Sequence, residues 1–161
     1  MNGEPAVDER SKLEARFKSG ANWFFWIAAL SLINSVIILT GHDWNFIVGL
    51  GTTLVIDAVA REAGTAGKLV AFGLDLFAAA FVVLFGVLCR RRFGWAFVLG
   101  MLLYALDGLI FLGAGDWLGA AFHVLVLVFI GMGYSALRKI RSLPPPPDAQ
   151  PSPAPPPAPG T

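Results

Sequence analysis

The chain has 161 residues, of which 56% are hydrophobic and only 14% charged, far from the half-apolar, quarter-charged mixture of soluble domains, so a bilayer is its natural solvent. A net charge of +1 offers no basic field for nucleic acid, and no basic-aromatic motif of the RNA- or DNA-binding kinds is present. The single cysteine, Cys89, excludes an intrachain disulfide, a cysteine-rich metal knuckle and a CxxC redox pair.

The chain opens with a charged stub, residues 1–20, carrying Arg10, Lys12, Arg16 and Lys18. No cleavable signal peptide is expected, because the first apolar stretch starts only near Ala21 and is long enough to remain as an anchor. Within the stub, Val7, Leu13 and Phe17 form a faint amphipathic pattern that either extends the first helix or lies on the membrane surface.

Largely uncharged runs of about 20 residues match a hydrocarbon core roughly 30 Å thick. Four such runs predict spanning helices at 21–40, 69–89, 93–112 and 117–137. A fifth, 44–60, is shorter, carries Asp57 and is interrupted by Gly49, Gly51, Thr52 and Thr53. Trp23, Trp26, Trp44, Trp95 and Trp117 all fall near proposed ends, as expected of indole rings anchored at the headgroup level. After Arg141 the composition changes to a tail, 142–161, holding ten of the eleven prolines. That tail is read as extended polyproline II or disorder, and its Pro144–Pro147 run is formally a PxxP ligand.

Positive charge decides the fate of the fifth run, since cytoplasmic loops are enriched in Lys and Arg. If all five runs cross, Arg10, Lys12, Arg16, Lys18, Arg61 and Lys68 face one side and Arg90, Arg91, Arg92, Arg138, Lys139 and Arg141 the other, with no bias. If 44–60 does not cross, only Arg61 and Lys68 lie outside. The expected fold is therefore an all-α integral membrane protein: a bundle of four transmembrane helices over 21–141, plus one short re-entrant or interfacial helical segment. The expected setting is the cell's inner membrane, multi-pass, with both termini cytoplasmic.

Ionisable groups inside a bilayer cost several kcal/mol and usually face a bundle interior, so they are candidate functional residues. Here they are Asp75, Asp107 and His123, with Asp57 in the fifth run and the neutral Asn34 and Tyr104 nearby. Asp107 and His123 each lie about six residues from the short turn between their helices, which puts both about 9 Å below the membrane boundary. Asp75 mirrors Asp107 across the Arg90–Arg92 turn, and Asn34 joins the same layer when there are four spans. Such a layer can fix helix register by hydrogen bonding, relay protons or ions, or ligate a metal for acid/base chemistry. No HExxH, EF-hand, Walker, nucleophile-elbow or dinucleotide motif accompanies it. Glycine spacings at Gly49-x-Gly51, Gly115-xxx-Gly119 and Gly131-x-Gly133 suggest close helix packing.

The stretches Ser31-Leu32-Ile33-Asn34-Ser35, Gly49–Asp57 (GLGTTLVID) and Tyr104-Ala105-Leu106-Asp107-Gly108, with Gly115-Asp116-Trp117 and His123, resemble a group of small bacterial polytopic membrane proteins with no assigned activity. The resemblance covers about residues 22–137 and implies a bacterial inner-membrane setting; the proline tail departs from it.

The favoured reading is a small structural or interaction subunit rather than an enzyme, needing no cofactor. Its expected partners are the lipid bilayer and either another membrane protein or a second copy of itself. The alternative is an outward-facing intramembrane proton, ion or metal site built on Asp75, Asp107 and His123.

Overall fold

The computed structural model describes residues 4–40, 50–61 and 64–144. Among the described residues the fold is all-α, with no strand: α1 (Glu4–Leu39), α2 (Gly51–Arg61), α3 (Gly64–Arg90), α4 (Gly94–Gly113) and α5 (Trp117–Ser142). All but α2 are long and apolar enough to cross a membrane. The expected runs at 69–89, 93–112 and 117–137 correspond to α3, α4 and α5, and 21–40 to the second half of α1.

No proline interrupts 6–39, and α1 runs through Ser19-Gly20 unbroken for 36 residues, absorbing most of the charged stub. Leu13 and Phe17 are buried in the common core, which settles their pattern as helix extension. The arginine-rich turn between α3 and α4 docks on this extension. Arg92 pairs with Glu14 at 2.7 Å and covers the Phe17 ring at 5.5 Å, while Arg90 donates to the Asn22 side chain. Lys139 of α5 reaches Glu9 at 2.6 Å. The start of α1, the α3–α4 turn and the end of α5 thus share one end of the bundle.

α1 is antiparallel to α3 and α5. Phe25 meets Gly86, and Gly20 packs backbone to backbone on Gly133, where a Cβ on either residue would sit under 3 Å from the other's Cα. With lipid as solvent there is little hydrophobic force between helices, so close approach through small residues and buried hydrogen bonds holds them instead. Of the expected glycine sites, Gly119, Gly51 and Gly133 make such approaches, while Gly131 and Gly115 do not; Gly49 lies outside the described residues.

Both helix-to-helix turns close with the same device. The Phe93 N–H bonds Leu88 O around Arg92 (φ 67°), and the Asp116 N–H bonds Phe111 O around Gly115 (φ 74°). These six-to-one bonds around a left-handed residue are Schellman closures. Asp116 then caps α5 by accepting the Gly119 N–H at 2.9 Å. The Gly115-Asp116-Trp117 sequence is a stop signal followed at once by a start signal.

Candidate functional site

α2 has 11 residues, about 16 Å of helix, half of what a hydrocarbon core requires. Its starting point lies inside the bundle. The Leu50 N–H donates to Ser31 Oγ at 2.8 Å, and Ser31 is about 12 Å, by helical rise, below the end of α1. By Leu50 the chain is back at depth, and α2 leads out again to α3. The fifth run thus holds a short helix, too short to span, whose start lies at the depth of Ser31; its residues 44–49, with Trp44, lie outside the described residues.

A helix starting in an apolar interior exposes unpaired N–H groups, and Leu50, at the capping position, has no side chain able to satisfy them. The cap comes from α4. Asp107 Oδ2 accepts the Gly51 N–H at 2.7 Å; its Oδ1 accepts the Thr52 N–H at 2.9 Å and the Thr52 hydroxyl at 2.6 Å. A carboxylate at a helix N-terminus also meets the positive end of the helix dipole. Gly51 is required by this approach, since a Cβ there would lie 2.9 Å from the Phe111 ring and 3.1 Å from Asp107 O.

The fourth contact is His123 of α5, whose Nε2 lies 3.1 Å from Asp107 Oδ2. The other ring nitrogen, Nδ1, lies 2.9 Å from Gly119 O. A carbonyl oxygen only accepts, so Nδ1 carries a proton. The Nε2–Oδ2 bond then needs one further proton, held by either partner. Both arrangements leave the pair without net charge, which is what a group 7% exposed (Asp107) beside one 2% exposed (His123) requires in a low-dielectric interior. The imidazole is held in place by Tyr104, stacked at 4.3 Å, by Phe111 at 4.7 Å, and by Gly108, which leaves it room.

The expected depth match of Asp107 and His123 is thus a hydrogen-bonded pair. Asn34 and Asp75 are also fully buried, and continuing the antiparallel register of α1 and α3 brings them level with each other. Among the described residues no three His, Cys, Asp or Glu side chains gather closely enough to hold a metal, so Asp75 does not complete a ligand set with the pair. Asp57 lies on α2, its side chain outside the described residues. Of the tryptophans, Trp26, Trp95 and Trp117 project from the surface, while Trp23 stacks on Phe129 at 5.1 Å and so packs α1 on α5.

Sequence reasoning singled out Asp107 but missed its donors. Gly51 and Thr52 were visible only as interruptions of an apolar run. The available signal was a helix start with no capping side chain of its own, which calls for a cap from elsewhere in the fold.

Beside this site, α3 and α4 diverge above their shared turn, leaving an apolar cleft of about 440 Å³ floored by α1 and α2. Thr52, Tyr104 and Asp107 supply its polar groups.

Neither a known family, nor a curated protein, nor a solved structure matches this chain.

Proposed function

We propose that the protein is a multi-pass subunit of a bacterial inner membrane that acts through its structure and its interactions, with both termini cytoplasmic and α2 re-entering from the outer side. The observation that carries this reading is the saturation of Asp107: two backbone N–H groups, one hydroxyl and one imidazole use its four acceptor sites. A carboxylate employed in this way anchors a short helix and has little capacity left for a substrate or a travelling ion. Orientation is supported by the clustering of Arg92, Lys139 and the basic half of α1 at one end of the bundle, the end that the positive-inside rule assigns to the cytosol.

A proton or ion path through the Asp107–His123 pair is the competing reading, and flux separates the two. In liposomes under an imposed proton or sodium gradient, the wild-type protein is expected to leak no faster than protein-free vesicles. Asp107→Asn is expected to leave that rate unchanged while lowering resistance to unfolding. A wild-type flux abolished by Asp107→Asn would refute the structural assignment.

A further inference from the structure

The geometry points to the cleft between α3 and α4 as a binding site for a neutral long-chain lipid whose polar part is a hydroxyl, with the tail between the two helices and the oxygen at Thr52 and Tyr104. The inference goes beyond the subunit role and holds for any partner the bundle has.

Position identifies the occupant. The cleft is walled by Leu74, Phe77 and Phe81 of α3 and Leu103 of α4, all near the middle of helices long enough to span. These side chains are exposed, Phe77 to 72%, so the mouth opens sideways at hydrocarbon depth and not into water. Only lipid chains are at hand there, and leaving the walls without contacts forfeits dispersion energy. A volume of about 440 Å³ falls within the range of ligand sites, about 300–1,000 Å³.

The polar end selects the head. Asp107 has no acceptor site left, so the cleft's remaining hydrogen-bonding capacity rests with two hydroxyls. Thr52, exposed, spends its proton on Asp107 and can still accept. Tyr104 keeps an O–H with no hydrogen-bond partner among the described residues. That oxygen is covered, so engaging it requires the ring to shift toward the cleft. One alcohol group meets both needs, donating to Thr52 and accepting from Tyr104. An anionic head is disfavoured, because the walls carry no cation among the described residues and the Asp107 carboxyl stands beside the site. A phospholipid head is too large and too polar for a point about 9 Å below the helix ends.

The test is photolabelling with a diazirine-bearing hexadecanol in phosphatidylcholine liposomes containing the full-length protein. Labelled peptides are expected to map to Phe77, Phe81 and Leu103 and to be competed by plain hexadecanol far better than by hexadecanoate. Ala78→Trp, which fills the cleft, is expected to remove cleft labelling. Tyr104→Phe, which deletes one membrane hydrogen bond of about 0.6 kcal/mol, is expected to lower it about threefold. Equal competition by hexadecanoate, labels spread over every lipid-facing helix surface, or cleft labelling indifferent to Ala78→Trp would each overturn the proposal. So would efficient oxidative cross-linking of Phe77→Cys to a second copy in a Cys89→Ala background, which would put protein in the cleft. The competition arm needs no variant and stands even where a substitution prevents folding.

Discussion

At the scale of single residues, Asp107 and His123 share one fate. The two share the proton that leaves the pair without net charge, and His123 adds, through its Nδ1–H, a bond to Gly119 O. Removing it leaves a carboxylate in an apolar interior with three donors and no neutralising partner. We expect His123→Ala to cost about 3–5 kcal/mol, the usual consequence of breaking a buried pair from one side. The double variant Asp107→Ala/His123→Ala should fall short of the sum of the single losses by about 0.5–3 kcal/mol. Unfolding by sodium dodecyl sulfate in mixed micelles measures both; simple additivity would mean that the two groups act independently. The level shared by these residues was legible in the sequence, because helical rise alone sets depth on either side of a short turn. The α2 donors were not, because a tertiary cap at a separation of 56 residues leaves no periodic trace.

At the scale of elements, the contact between α1 and α5 depends on where side chains are absent. α1 and α5 meet at Gly20 and Gly133, where a Cβ on Gly20 would lie 2.5 Å from Gly133 Cα. Backbone cannot rotate away as a flexible side chain can, so Gly20→Ala must separate the helices, at a cost of about 1–3 kcal/mol. Gly73 on α3 has nothing within 4 Å of a built Cβ. Gly73→Ala is therefore expected to be neutral or to stabilise by about 0.5–1 kcal/mol through the backbone entropy of glycine. The same unfolding assay compares them, and equal effects at the two positions would contradict the packing described. Hydropathy revealed the four long helices because a bilayer demands length and apolarity together. It marked only the apolar half of α1, because the charged first half of that helix is held by Leu13 and Phe17 and by pairs to Arg92 and Lys139, contacts made with distant segments.

At the scale of the whole molecule, Lys68 and Arg91 lie at opposite ends of α3, and the proposed four-crossing topology puts Lys68 outside and Arg91 in the cytosol. In a Cys89→Ala background, Lys68→Cys is expected to react with a membrane-impermeant maleimide added outside intact cells, and Arg91→Cys only after lysis. Labelling of Arg91→Cys from outside, with Lys68→Cys reacting only after lysis, would mean that α2 crosses or that the bundle is inverted. The cap on α2 also carries a timetable. Gly51 and Thr52 leave the ribosome 56 and 55 residues ahead of the aspartate that receives their N–H groups, and the imidazole completing the pair follows 16 residues after that. Throughout that stretch of translation the N-terminus of α2 lacks the carboxylate that caps it. The cap is therefore completed only once α4 has been made, and the pair behind it only once α5 has followed.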